Sequence, residues 1–228
     1  MKTDKYVDIF EEINSILISS NHPSKDIEKI MKKEEFILSE FNILNKLKDI
    51  PQEKKFHPEG NVWNHSKLVV DLAAKIKEIA DNKKYFMWAA LFHDIGKIET
   101  TEFVDGRYRS YNHDKVGKKV IYDILLKYMN DYEAKAIADI VGFHMHHIYV
   151  LNDLPFSNIN ALVNSKYYND IIMMFTCDKL GRGNQNSIEW EKSFKDIYKI
   201  IDILDKEKAE INKEVLRKLN IVKNLLLN

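Results

Sequence analysis

Apolar residues recur three and four positions apart along nearly the whole of this chain, which is the spacing of one face of an α-helix. Only 7 glycines and 4 prolines interrupt the pattern. The pattern therefore predicts an all-α fold. The helices that it predicts span approximately residues 5–19, 24–33, 35–48, 62–81, 84–95, 113–129, 131–145, 158–164 and 167–180, followed by a long pair of helices over 186–225.

One short segment departs from the helical spacing. The run from Phe103 to Tyr108 places an aspartate and a glycine, Asp105 and Gly106, between apolar and aromatic residues. Such a pair is typical of the two-residue turn of a β-hairpin. We expect one short β-hairpin here, which would form a small flap.

The chain has 228 residues, of which 45% are hydrophobic, and this is enough to form one substantial core. A weak boundary falls at residues 49–52, where Pro51 follows a predicted helix. We expect three regions: an N-terminal helical extension over 1–54, a central core over 55–185, and C-terminal helices over 186–228 that pack on the core. The Lys- and Glu-rich C-terminal helices also offer a surface for a homodimer.

Charge and hydropathy exclude several classes of protein. Lysine and arginine number 35, as do aspartate and glutamate, so the chain has no overall charge with which to attract nucleic acid or an acidic membrane. Any anion site must therefore be local. The longest apolar run, Tyr85–Phe92, is far shorter than the ~20 residues of a membrane span, and the N-terminus shows no signal peptide. We expect a soluble, cytoplasmic protein that does not bind membranes.

The distribution of histidine is the first indication of chemistry. The single cysteine, Cys177, excludes a disulfide framework and a cysteine zinc cluster, so metal ligands would be histidines and carboxylates. Seven of the eight histidines lie between residues 57 and 147. A lone histidine on an apolar helix face is most often a hydrogen-bonded core residue. A cluster of this density calls for a common explanation.

Several of these residues fall on the apolar faces of predicted helices. His65, His93 and His144 lie on or beside such faces, as do the carboxylates of Asp94 and Asp178, and no lysine or arginine falls inward beside them. Burying a carboxylate costs several kcal/mol unless a cation or hydrogen bonds compensate. A divalent metal would satisfy all of these groups at once.

This arrangement resembles the signature of the HD superfamily of helical, metal-dependent phosphohydrolases: His65, then the pair His93 and Asp94, then Asp178. Further segments resemble, in the same order, the HD domain of bacterial CCA-adding tRNA nucleotidyltransferases. These segments are His57–His65, Leu91–Lys97, Asn112 and His113 with Gly117, His144 and Met145, and Cys177–Arg182.

The resemblance covers approximately residues 55–185 and implies an HD-domain helical bundle. Residues 1–54 contain neither the Gly-rich motif nor the paired aspartates of the nucleotidyltransferase domain. We therefore expect a stand-alone HD protein, and nucleotide addition does not follow from the resemblance.

The resemblance also implies a metal site. His65, His93, Asp94 and Asp178 would bind one divalent ion, and His113 and His144 fall where dinuclear members of the superfamily carry ligands for a second. Manganese, nickel, cobalt or iron suits this donor set better than calcium, and magnesium remains an option. His147 is a reserve ligand. Our preferred expectation for His146 and His147 is a solvated helix end.

Phosphate-binding cations are expected near the motifs. Only four arginines occur in the chain, and Arg107, Arg109 and Arg182 lie close to the motifs in sequence. Arginine can donate two parallel hydrogen bonds to phosphate oxygens. We therefore expect substrate to be bound by these three arginines and by Lys97, which lies three positions after Asp94. The alternative for Arg107 and Arg109 is that they are solvated charges of the hairpin.

We predict a metal-dependent phosphodiesterase or phosphomonoesterase that acts on nucleotides or nucleic-acid ends, such as RNA ends with 2′,3′-cyclic phosphates. The bound ion would lower the pKa of a water molecule that attacks phosphorus. The predicted catalytic residues are Asp94, Lys97, His113 and His144; the two histidines would hold a second ion or assist the leaving oxygen. Two alternatives stay open: a nucleotidase acting on free nucleotides, and a non-catalytic HD fold that senses a nucleotide or binds RNA.

Overall fold

The computed structural model describes residues 6–227, apart from the side chains of residues 206–211. Within this part of the chain the fold is helical with one small hairpin, as predicted. The helices are α1 (Val7–Ser19), α2 (Pro23–Ile30), α3 (Glu34–Leu38), α4 (Ile43–Lys46), α5 (Val62–Ile76), α6 (Lys83–Phe92), α7 (Lys97–Thr100), α8 (His113–Leu125), α9 (Asp131–Phe143), α10 (His146–Leu151), α11 (Ile159–Val163), α12 (Tyr168–Leu180) and α13 (Ser187–Leu227), and the strands are β1 (Thr101–Val104) and β2 (Arg107–Ser110).

Asparagine side chains begin several of the helices. Asn61 accepts a hydrogen bond from the backbone N–H three residues later at the start of α5, and Asn82 and Asn130 do the same for α6 and α9. A capping side chain of this kind satisfies one of the backbone donors that a helix start leaves unpaired. The starts of these three helices are therefore encoded locally, whereas α8 and α12 begin without a capping side chain.

The interior of the fold is built on α6. Every residue from Tyr85 to Phe92 is buried, and the helix packs against α1, α5, α9 and α12. A helix that is apolar on all sides belongs in a protein interior. The central helix α12 is likewise buried over most of its length. His93 and Asp94 follow α6 directly, and Asp178 lies in the last turn of α12, so the motif residues sit at the ends of the two most buried helices.

The N-terminal helices share this core. Phe10 of α1 stacks on Trp88 of α6 with ring centroids 5.3 Å apart, and Phe41 lies 5.1 Å from the ring of Tyr128. Trp88 also donates its indole N–H to Asn14 at 3.1 Å. Aromatic contacts of this kind contribute beyond the area that they bury. The N-terminal helices thus pack directly on α6 and form part of the same core.

Two helix predictions are wrong. The segment 35–48 is not one helix, because Ser39 is extended (ψ 167°) and its hydroxyl accepts a hydrogen bond from the N–H of Phe41; the chain there forms α3, α4 and two short 3-10 turns. A hydroxyl that competes for backbone donors can end a helix. The C-terminal pair is one helix, α13, since no glycine or proline interrupts it. One apolar stripe runs along both of its halves: Phe194, Ile197, Ile201, Leu204, Val215, Leu219 and Val222.

The hairpin prediction is confirmed. Strands β1 and β2 pair in antiparallel register, with Phe103 opposite Tyr108, and the turn residues Asp105 and Gly106 have φ of 52° and 76°. Positive φ at both central positions is the geometry that an Asp-Gly pair favours. Among the described residues, no helix combines the length and the hydropathy that crossing a membrane requires.

Candidate metal centre

The carboxylate of Asp94 is the centre of a buried polar cluster. Its Oδ2 atom lies 2.7 Å from Lys97 Nζ and 3.4 Å from His93 Nε2. Its Oδ1 atom lies 3.3 Å from His113 Nε2 and 3.5 Å from His144 Nε2. Residues from three separate segments of the chain therefore meet at one carboxylate.

A second carboxylate, Asp178, borders the same cluster. His65 Nε2 lies 3.0 Å from Asp178 Oδ1 and 3.9 Å from Asp94 Oδ2, so His65 connects the two aspartates. On the other side, His147 Nε2 lies 3.6 Å from Asp178 Oδ2. The structure thus brings together the six residues that the sequence analysis named as metal ligands and His147, which it named as a reserve ligand.

Four of the histidines are oriented by backbone carbonyls. In each, Nδ1 lies within hydrogen-bond distance of the carbonyl oxygen three residues earlier: His93 to Ala90 at 3.0 Å, His113 to Ser110 at 2.7 Å, His144 to Val141 at 2.6 Å and His147 to His144 at 2.7 Å. A carbonyl oxygen can only accept, so Nδ1 carries the hydrogen and Nε2 is free to act as a ligand. This is how proteins hold histidines that bind metals.

The donor set fits one or two divalent ions. His65, His93 and Asp94 offer ligand atoms within 4.8 Å of one another, as do Asp94, His113 and His144, and Asp94 belongs to both groups. The Nε2 atoms of His93 and His147 are buried without a hydrogen-bond partner. Leaving a buried polar atom unpaired is costly, and a bound cation would remove that cost.

Electrostatics keep both carboxylates ionised. Burial opposes ionisation of Asp94, but the charge of Lys97 and the contacts with the surrounding histidines hold its pKa well below its usual range. For Asp178, burial is likewise outweighed, mainly by the hydrogen bond from His65. Burial disfavours the protonated form of His65, yet its contacts with Asp178 and Glu59 raise its pKa to about 9. Two anions are therefore present at neutral pH to hold a metal.

A close backbone approach brings two of the segments together. A Cβ atom on Gly96 would lie 2.0 Å from the carbonyl oxygen of His113, so only glycine allows the start of α7 to touch the start of α8. Lys97 and His113 lie on the two sides of this contact. Gly96 does not end α6, which ends at Phe92; it sets the distance between α7 and α8.

His146 and His147 are not at a solvated helix end, which corrects the expectation from sequence. The chain turns after α9 and continues directly into α10, and this turn folds both residues inward. His146 is 6% exposed and His147 is fully buried. Burial lowers the pKa of each to about 4, which keeps both imidazoles neutral at physiological pH.

An open cavity of about 430 Å³ reaches the cluster through Lys97 and His113. Its lining includes further polar residues, among them Gln52, His57 and Ser110, and five aromatic rings: Phe56, Tyr108, Tyr111, Tyr149 and Phe156. A small substrate needs a cavity that is open to solvent and reaches the buried metal ligands, and this cavity meets both conditions.

The expected phosphate-binding arginines divide into two groups. Tyr108 and Ser110 of the hairpin line the cavity, whereas Arg107 is exposed and Arg109 bonds to Asp105 and Tyr111. Successive residues of a strand face opposite sides of the hairpin. The side that turns Tyr108 and Ser110 towards the cavity therefore turns Arg107 and Arg109 away from it. The structure therefore does not bring Arg107 and Arg109 to the cluster. Arg182 lines an adjoining cavity together with Phe56 and His57.

Sequence reasoning did not identify two polar residues beside the cluster. Gln52 accepts a hydrogen bond from Lys97 Nζ at 2.8 Å, and Glu59 lies 3.0 Å from His65 Nδ1. Glu59 belongs to the motif His57–His65, so its place in that motif was an available signal. Gln52 carried none, because it lies in a loop with no periodic pattern.

Comparison with known proteins finds relatives described as multifunctional CCA proteins. A multifunctional CCA protein from Actinobacillus pleuropneumoniae serotype 5b (strain L20) is 31% identical over 108 residues, which are 46% of this chain and 26% of that protein. One from Verminephrobacter eiseniae (strain EF01-2) is 27% identical over 146 residues, 61% of this chain and 34% of that protein. The chain thus matches only about a quarter to a third of the length of these relatives.

The family model described as HD domain matches residues 62–209, which are more than half of the chain. This region contains every residue of the cluster around Asp94, from His65 to Asp178. The resemblance noted in the sequence is confirmed, and the chain belongs to the HD domain family.

Proposed function

We propose that this chain is a metal-dependent phosphodiesterase or phosphomonoesterase acting on nucleotides or nucleic-acid ends, such as 2′,3′-cyclic phosphates. HD domains are a family of metal-dependent phosphohydrolases, and the substrate class is our inference. The proposal rests on one observation: buried imidazole Nε2 atoms and two carboxylates converge beside an open cavity. A protein that only sensed a nucleotide would not need a complete set of metal ligands.

His65, His93, Asp94 and Asp178 would hold one ion, and Asp94, His113 and His144 would hold a second. A divalent ion supplies Lewis acidity that lowers the pKa of a water molecule and neutralises phosphoryl oxygens. Lys97 donates to Asp94 and Gln52 and lines the cavity, so its ammonium is available to a substrate phosphate. His113 and His144, whose Nε2 atoms lie 3.1 Å apart, would hold this second ion or assist the leaving oxygen.

The cavity supports a nucleotide or a terminal nucleotide as substrate. Its aromatic rings include Tyr111 and Phe156, which are 63% and 60% exposed. Exposed rings beside a phosphate site suit stacking by a nucleobase. A free nucleotide and an RNA end both satisfy this arrangement, so the nucleotidase alternative is kept. The homodimer through α13 and the cytoplasmic location remain predictions from sequence.

A substrate panel tests this proposal. Protein purified without chelator should retain a transition metal and hydrolyse at least one member of a panel of 2′,3′-cyclic nucleotides, 3′-nucleotides, nucleoside triphosphates and bis-p-nitrophenyl phosphate. Each substrate should be assayed with manganese, nickel, cobalt, iron and magnesium. A protein that neither retains metal nor hydrolyses any of these esters would refute the proposal.

We expect the Michaelis constant of the best substrate to rise only gently with salt. Lys97 and Arg182 are the cations of the predicted set that line cavities beside the cluster, and the net charge of the chain is zero. Such a site can neutralise about two phosphates, and each contributes roughly 0.9 to the slope of log affinity against log salt. Steady-state kinetics between low and moderate salt measure this slope. A dependence equivalent to about six contacts would reveal an extended nucleic-acid groove.

A further inference from the structure

The loop before α5 forms a wall shared by the metal cluster and the open cavity. It is held in place by backbone hydrogen bonds, from Gln52 N–H to Gly60 at 3.0 Å and from Val62 N–H to Ile50 at 3.0 Å. Gly60 has a φ of 97°, which other residues rarely adopt. This loop is therefore a rigid support, and Glu59 is the residue that it directs inward.

The carboxylate of Glu59 contacts two imidazoles. Its Oε1 atom lies 3.0 Å from His57 Nδ1 and 3.0 Å from His65 Nδ1. Its Oε2 atom accepts a hydrogen bond from the N–H of Gly183 at 3.0 Å. The Glu59 side chain is 5% exposed, and no lysine or arginine pairs with it among the described residues. Its negative charge is thus held by two histidines and one backbone amide.

Glu59 lies beside Nδ1 of both histidines. A carboxylate can only accept, so its hydrogen bond with His57 places a hydrogen on His57 Nδ1. His65 pairs with Glu59 through Nδ1 and with Asp178 through Nε2, so a metal bound at Nε2 would replace the hydrogen there and leave the one on Nδ1 beside Glu59. His57 lines the open cavity together with Lys97 and His113, and its Nε2 is left as a hydrogen-bond acceptor.

We propose that Glu59 is a positioning residue for two imidazoles at once, holding His65 Nε2 towards the metal and His57 Nε2 towards the substrate as a hydrogen-bond acceptor. This inference rests on the proposed function, because it assumes that the cluster binds a divalent ion. Carboxylates that orient ligating histidines contribute roughly 10–100-fold to metal affinity. Glu59 would additionally couple metal binding to substrate binding.

Two groups of variants separate these roles. Glu59→Gln should weaken the affinity for manganese, measured by calorimetry on the full chain, by about 10–100-fold and should also raise the Michaelis constant. Glu59→Asp keeps the charge and should fold. Its side chain is one methylene too short to contact both rings, so it should still weaken manganese binding, but by less than Glu59→Gln does. His57→Phe should leave manganese affinity unchanged and raise the Michaelis constant without an equal change in kcat.

Glu28→Gln is the matched control. Glu28 accepts hydrogen bonds from Trp63 and Lys67, which lie on α5 like His65, but it does not touch the cluster. This variant should bind manganese with wild-type affinity. Wild-type affinity in both Glu59 variants would overturn the inference and leave the proposed function standing. A wild-type protein that binds no divalent metal would overturn both.

Discussion

Replacing Asp94 by asparagine should abolish metal retention and hydrolysis together while leaving the helical fold in place. Asp94 is 2% exposed and lies within 3.5 Å of one lysine and three histidines. Two of these histidines come from distant segments: His113 begins α8 and His144 follows α9. Asparagine keeps the shape of the side chain but removes the charge that both groups of metal ligands share. We expect a loss of at least about 10³-fold in kcat/KM, or about 4 kcal/mol of transition-state stabilisation.

Metal analysis, steady-state kinetics and circular dichroism together measure this prediction. The matched control is Asp123→Asn, because Asp123 is an exposed carboxylate of α8 that pairs only with Lys119 among the described residues. The control should retain metal, activity and helical content. An Asp94→Asn protein that is loaded with metal and active would contradict the assignment of the cluster.

The second large effect is on stability. Phe41→Ala should lower the free energy of unfolding by about 3–5 kcal/mol, the range for removing a buried phenylalanine ring. Phe41 is fully buried and lies 5.1 Å from Tyr128, 5.9 Å from Trp88 and 6.5 Å from Phe92, measured between ring centroids. The substitution would leave an empty space between the N-terminal helices and α6, next to the residues that precede His93 and Asp94.

Urea unfolding followed by circular dichroism measures this loss. Phe103→Ala is the matched control, because the Phe103 ring is 64% exposed on the hairpin and its removal should cost less than about 1 kcal/mol. An equally small effect of Phe41→Ala would show that the N-terminal helices are a separable extension. The expected larger effect would show that they stabilise the helix from which His93 and Asp94 extend.

Much of the architecture follows from local patterns. The 3.6-residue spacing of apolar positions predicts most of the helices, and the Asp105–Gly106 pair predicts the hairpin turn because few other pairs adopt positive φ twice. The same spacing places His65, Asp94 and Asp178 on inward faces, and desolvation explains why two inward carboxylates indicate a cation. The expectation that no lysine lies inward beside them was wrong, because Lys97 is buried with its Nζ 2.7 Å from Asp94. These inferences depend on neighbours within one or two helical turns.

Local patterns gave wrong predictions at the boundary between two helices and on the two faces of a strand. They predicted a solvated end for His146 and His147 because the turn between α9 and α10 has no sequence signal of its own. They also placed Arg107 and Arg109 beside the site, although the hairpin turns Tyr108 and Ser110 towards the cavity. Sequence proximity to a motif does not determine which face of a strand a residue occupies.

Which distant atoms meet was decided by the tertiary structure. His65 and Asp178 are 113 residues apart in sequence, and their 3.0 Å contact depends on how α5 and α12 pack. The contacts of Glu59 with His57 and His65, and the approach of Gly96 to His113, depend on packing in the same way. A periodic pattern specifies the face on which a side chain lies, but a hydrogen bond requires a position accurate to a few tenths of an ångström. Only the packing of several helices around the common core supplies that accuracy.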